Sequence, residues 1–254
     1  APTKASINYI NADNLRKDNF TQAINNARDA LNKTQGQNLD FNAIDTFKDD
    51  IFKTKDALNG IERLTAAKSK AEKLIDSLKF INKAQFTHAN DEIMNTNSIA
   101  QLSRIVNQAF DLNDAMKSLR DELNNKAFPV QASSNYINSD EDLKQQFDHA
   151  LSNARKVLAK ENGKNLDEIQ IEGLKQVIED TKDALNGIQR LSKAKAKAIQ
   201  YVQSLSYIND AQRHIAENNI HNSDDLSSLA NTLSNASDLD NAMKDLQDTI
   251  ESNS

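Results

Sequence analysis

A chain of 254 residues with 38% apolar and 5% aromatic side chains cannot fill one deep core, and five Gly with two Pro are too few turn residues for a β-rich fold. The formal charge of −6 divides into +1 for residues 1–127 (18 Lys+Arg against 17 Asp+Glu) and −7 for residues 128–254 (13 against 20). No basic face is therefore kept for nucleic acid or an anionic membrane, and the absence of Cys removes disulfides, thiolate chemistry and Cys-type zinc sites.

The first ten residues lack the basic start and apolar core of a signal peptide, and no apolar run reaches a membrane span, so the chain reads as a soluble piece of something longer. Asp13 is a predicted N-cap for a first amphipathic helix whose stripe is Phe20, Ile24, Ala27 and Leu31, with Gly36 ending it. After Asn38-Leu39-Asp40 the spacing of Ile44, Phe47, Ile51, Leu58, Ile61, Leu64, Ala67, Ala71, Leu74 and Leu78 predicts one helix of about 40 residues to Lys79, interrupted by nothing but Gly60. Unbroken, it would span roughly 60 Å, too far for one compact bundle, so its two ends are expected to serve different bundles. A shorter helix follows over about 82–95, and another begins near Asn97 or Ser98 with Ile99, Leu102, Val106 and Ala109 inward. Asp111-Leu112-Asn113-Asp114 can restart a helix by capping, yet the stripe continues through Met116, Leu119 and Leu123, so a kink and a continuous helix both fit. The stretch 127–139, with its Pro, Ser and Asn, reads as the linker.

Residues 128–254 then repeat residues 1–127. TKDALNGI at 54–61 falls on the identical TKDALNGI at 181–188, the prolines Pro2 and Pro129 pair, and about 55 of the positions are identical without a gap. Asp140, Phe147, Leu151, Ala154, Leu158 and Gly163 repeat the first helix and its ends. Two covalent copies fill the chain.

The repeat weighs against catalysis. His88, His149, His214 and His221 fall opposite Ile215, Gln22, Thr87 and Met94, so no histidine is shared. Adjacent acids such as Asp49-Asp50, Asp91-Glu92 and Asp224-Asp225 point about 100° apart on a helix rather than converging. Asn59-Gly60 and Asn186-Gly187 lie within a helical stripe, where packing or a kink explains them better than a phosphate cradle. Lysines alternating with alanines at 66–71 and 193–197 spread charge over a solvated face. No catalytic, cofactor or metal residue is identified. Phe80, Phe86 and Tyr207 surround the short third helix, where an aromatic not needed by a thin core can be exposed.

Taken together, YINAD before an amphipathic helix, ALNGIxRL, AKxKA, INxAQ and a closing LNDAM or LDNAM resemble the alternating FIVAR and GA-type modules of giant staphylococcal cell-wall adhesins. The resemblance covers both copies. It implies an all-α fold, an elongated rod of alternately connected three-helix bundles sharing long helices. Copy one, 1–127, would be FIVAR-like over about 1–60 and GA-like over about 61–112, followed by the start of the next bundle's helix. Copy two, 128–254, would be FIVAR-like over about 128–187 and GA-like over about 188–239, with a terminal helix to 254. It further implies a semi-rigid spacer on the bacterial cell surface or cell wall, outside the cell. Its partners would be host matrix proteins such as fibronectin, with serum albumin as the alternative for the GA-like bundles. No enzyme activity, cofactor, nucleic acid or membrane insertion is implied, and the segment would be a monomer flanked by further repeats. In albumin-binding relatives the contact surface centres on the second helix of the module, here about 80–97 and 207–224, which marks Phe80, Phe86, Tyr207 and Ile215 as the candidate ligand surface.

Overall fold

The computed structural model describes residues 2–253, and all regular structure among them is helical. The chain divides into two compact units, residues 1–116 with 159–168 and residues 117–158 with 169–254. The boundaries of these units cut across the covalent repeat: residues 117–127 of the first copy fall in the second unit, and residues 159–168 of the second copy in the first.

In the first unit a 3-10 turn and α1 (Ile7–Ile10) lead into α2 (Asn14–Ala30), α3 (Phe41–Asp56), α4 (Gly60–Asp76), α5 (Lys83–Asn95) and the start of α6 (Ile99–Glu122). The Asp13 carboxylate accepts from the Arg16 amide at 3.0 Å, capping α2 as its sequence predicts. Phe20, Ala12 and Leu58 form a small core with Tyr9, Ile24 and Ile51, and the Tyr9 ring meets Phe20 edge-on at 5.9 Å. A second core, with Ile75, Ile81, Ile93, Leu102 and Ala109, joins α4, α5 and α6. α2 ends at Ala30, before Gly36, because the Asn32 side chain accepts from the Thr34 and Gln35 amides and turns the chain first.

The predicted 40-residue helix is two helices. α3 stops at Asp56 and α4 starts at Gly60, with Leu58 buried between them. The break is held from outside: Asn8 Nδ2 donates to the Leu58 carbonyl (3.2 Å), and Asn8 Oδ1 accepts from the Ile61 amide (3.0 Å). Asn59 exchanges two bonds with Asp13. α1 crosses so close to Gly60 that a Cβ there would stand 2.0 Å from the Asn8 carbonyl oxygen. The helix shared between bundles is α6 instead. It runs unbroken through Asp111–Asp114, placing Leu102 and Ala109 in the second core of the first unit and burying Leu119 beyond the unit boundary.

In the second unit α6 passes through a π turn (Leu123–Ala127) into α7 (Phe128–Val130), α8 (Ser134–Ile137), α9 (Glu141–Leu158), α10 (Glu168–Asp183), α11 (Gly187–Ser204), α12 (Asp210–Asn222) and α13 (Leu226–Asn253). The expected linker 127–139 is accordingly short helices, with Ala127, Asn138 and Ser139 buried. Pro129 is accommodated in the first turn of α7, where its missing N–H is not needed. The π turn packs on α9, and the Arg155 guanidinium lies 4.0 Å from the Phe128 ring. Leu191, Ala198, Val202, Ile208, Ile220 and Leu229 repeat the second core between α11, α12 and α13. Asp140 precedes α9 as predicted, but its carboxylate bonds Asn186 and Arg190 (3.0 Å to Nε).

Candidate functional site

The candidate surface lies on α5 and α12 and the turns before them. Each helix opens on a reciprocal capping box, Asn82 with Gln85 and Asn209 with Gln212, which satisfies two otherwise orphaned amides. The preceding turns are tied to the last helix of each module: the Phe80 amide donates to Asn113 Oδ1 (2.9 Å), and the Tyr207 amide to Asp240 Oδ1 (2.7 Å). Phe80 is half-buried, and Phe86 packs against the core of its module. Tyr207 is 36% and Ile215 60% exposed. Arg213, in Phe86's place, turns its guanidinium onto the Val202, Leu205 and Ile208 carbonyls. The four residues therefore do not form one repeated patch: the exposed pair belongs to the second module alone.

Sequence reasoning missed what covers the first module. Loop 159–168 sits on the N-terminus of α5, where Asn82 Nδ2 donates to the Lys164 carbonyl (2.9 Å) and Gln85 Nε2 to the Leu166 carbonyl (2.9 Å). The Lys83 amide donates to the Lys160 carbonyl (2.8 Å), and Lys160 Nζ donates to the Ile81 carbonyl (2.6 Å). Asn82 and Gln85 are consequently buried, whereas Asn209 is exposed. Most of these acceptors are backbone carbonyls and carry no sequence signature. The signal available was the retention of Asn-x-x-Gln and of Lys33 and Leu39 opposite Lys160 and Leu166. Also missed was an open apolar groove in each GA-like module, between α4 and α6 (Ala71, Leu74, Leu102, Val106) and between α11 and α13 (Ala198, Tyr201, Leu229, Leu233).

Among the described residues no group of three or more His, Cys, Asp or Glu is placed to hold a metal, and no helix is long and apolar enough to cross a membrane. His88 lies on an exposed face 3.7 Å from Glu92. The phenol of Tyr136 is pushed up to about 12 by burial and by its 2.7 Å bond to Asp148, a packing effect beside Phe147.

The FIVAR domain family matches residues 1–59 and 115–186, and the GA module family matches residues 61–115 and 188–242. The second FIVAR match begins within α6. The chain is 37% identical over 98% of its length to the extracellular matrix-binding protein ebh of Staphylococcus aureus strain MW2, and 36% identical to EbhA of strain Newman. It spans 2% and 7% of the length of those relatives. The crystal structure of EbhA domain 756–1003 from Staphylococcus aureus superposes with a TM-score of 0.83 at 25% identity, covering 93% of this chain and 94% of that one. With FIVAR domains over more than half its residues and GA modules alternating between them, the chain belongs to the FIVAR/GA repeat family of Ebh-type extracellular matrix-binding proteins, a non-enzymatic family.

Proposed function

We propose that this chain is a repeat segment of a giant cell-wall-associated bacterial adhesin, acting as a semi-rigid helical spacer that also contacts host extracellular matrix, with fibronectin-type ligands as the first to test. The observation that carries the reading is the end-to-end alternation of FIVAR and GA modules at 37% identity to relatives named for matrix binding. The unbroken course of α6 from Ile99 to Glu122 supports the spacer role, since helix rather than loop continues from the GA match into the FIVAR match. Repetition adds avidity, so a single segment needs only a weak site. The chain should be retained on immobilised fibronectin with a dissociation constant on the order of 100 μM or tighter by surface plasmon resonance. No response at that concentration, from a chain with its full helical circular dichroism, would overturn the matrix-contact role.

The exposed Ile215 and Tyr207 favour a second reading, serum albumin binding at α12. Ile215→Asp should abolish albumin retention and leave fibronectin retention unchanged. Loss of both, or of neither, counts against that face.

A further inference from the structure

We propose that the groove between α11 and α13 binds a single-chain anionic amphiphile, a fatty-acid carboxylate with an alkyl chain of about eight carbons. The groove has a volume of about 440 Å³, within the range of small-ligand sites, and its walls are apolar, with Leu226, Leu229 and Leu233 on α13. Ala194 and Ala198, one turn apart on α11, and Ala230 on α13 are too short to close it. The lining takes in residues 194–201 of α11 and 226–233 of α13, seven steps along each helix, or about 10 Å. A trans alkyl chain advances about 1.3 Å per carbon, so about eight carbons fill that length.

Charge selects the head group. In a half-chain with 13 Lys+Arg against 20 Asp+Glu, α11 carries Arg190, Lys193, Lys195 and Lys197 and no acid, and α13 has no charged residue over 226–237. Lys195 is occupied, donating to the His221 carbonyl (2.8 Å). Lys197, in the groove lining and exposed, has no hydrogen-bond or ion-pair partner among the described residues, and Tyr201, 41% exposed, follows it one turn on. An ammonium and a phenol O–H thus stand on one rim above an apolar floor, where a carboxylate can accept from both and a cationic head from neither. The first module has the same groove between α4 and α6, with Ala67, Lys70, Ala71 and Leu102 at the equivalent positions. There Leu74 replaces Tyr201, the volume is about 240 Å³, and Glu62, Glu72 and Asp76 stand among the lysines of α4, so the second groove is the better site. The first module lies between two FIVAR matches, so an open groove at this place belongs to the module and not to where the sequence stops. This goes beyond the matrix reading, and it uses a different face from the α12 surface considered for albumin.

Titration of the full chain with sodium octanoate, followed by amide chemical shifts in NMR, should give saturable changes at 194–201 and 226–233 with a dissociation constant on the order of 1 mM. Each methylene from hexanoate to octanoate should tighten binding about two- to fourfold, whereas dodecanoate should gain no more than about twofold over decanoate, because the groove is then full. Octyltrimethylammonium, with the same chain and the opposite charge, should bind at least about fivefold more weakly than octanoate. Ala230→Leu fills the groove from an exposed position and should weaken octanoate at least about fivefold with the helical circular dichroism unchanged. Lys197→Glu should weaken octanoate about two- to fivefold and strengthen the cation. Changes scattered over exposed apolar residues elsewhere, equal binding of the two head charges, affinity that keeps climbing with chain length, or octanoate binding undisturbed by Ala230→Leu would overturn the proposal. So would the same shifts on raising protein concentration alone, which would assign the groove to a second copy of the chain.

Discussion

Gly187 offers a sharp test of why the long helix breaks. It opens α11, and a Cβ placed on it would lie 2.0 Å from the Asn135 carbonyl oxygen and 2.7 Å from the Ser139 amide nitrogen, both backbone atoms of the α8 segment. Ordinary contact requires about 1.5 Å more, so in Gly187→Ala α8 has to withdraw. The bonds lost run from the Ile188 amide to Asn135 Oδ1 (3.0 Å), from Asn135 Nδ2 to the Leu185 carbonyl (3.3 Å), and from the Asn186 and Gly187 amides to Ser139 Oγ (2.9 and 3.0 Å). At about 1 kcal/mol net for each, and against a helix-propensity gain of up to about 1 kcal/mol for Ala, the variant should lose about 2–4 kcal/mol. Thermal melting followed by circular dichroism should show its transition lowered by about 6–12 °C. Gly173→Ala is the matched control. Nothing lies within 4 Å of its Cβ position inside α10, so it should gain about 0.5–1 kcal/mol. A Gly187→Ala protein as stable as wild type, or a Gly173→Ala protein equally damaged, would refute the reasoning.

Asn138 is 1% exposed, donates to the Ser134 and Asp224 carbonyls and accepts from the Leu226 amide, so Asn138→Ala should lower the urea midpoint by the equivalent of about 2–4 kcal/mol. Leu123→Ala, at 1% exposure in the π turn, should cost about 2–5 kcal/mol in the same measurement. The Tyr136 phenol ionises near 12 folded against its ordinary 10.0, so the stability it contributes is complete below pH 10 and is lost as pH rises towards 12. Urea midpoints of Tyr136→Phe should therefore decline less between those values than wild type; an equal decline would rule this out. Asp13 runs the other way: the Arg16 amide, with Asn59 and nearby arginines, holds its carboxyl below the ordinary 3.8. Its contribution is present above that value and disappears as pH falls through the lower folded one, so Asp13→Asn should flatten the acid limb of a Tm–pH profile.

Local chemistry was legible in the sequence wherever local chemistry decides. Asp13 caps α2, α5 runs over Lys83–Asn95 close to its expected bounds, and Phe20, Leu64, Ala71 and Leu78 of the expected stripes are buried, because each depends on neighbours within a turn or two, although the stripe of α4 centres on Ile75 where the spacing picks Leu74. The break at Leu58–Asn59 was not legible from periodicity, since the Leu58 stripe continues and the interruption comes from Asn8, some fifty residues away. Its trace was the identity of Leu-Asn-Gly in both copies, which marks a close backbone approach. The division of α6 between two cores was visible only as a stripe that refused to stop at Asp111. The surroundings of the aromatic candidates were hidden for a related reason: exposure of Tyr207 depends on what the rest of the chain covers, and Phe86 is drawn onto its own core. Contacts from loop 159–168 run largely through backbone carbonyls, which no residue pattern announces.

The central claim is that one continuous helix, α6, leaves the GA core and enters the next FIVAR domain. The chain has no Cys, so Asn107→Cys with Asp121→Cys allows two spin labels on exposed turns either side of Asp111–Asp114. Double electron–electron resonance should give one narrow distribution consistent with attachment points about 21 Å apart, the rise of fourteen helical residues. A broad or two-peaked distribution centred below about 15 Å would mean that the helix bends or breaks there, and would contradict the account.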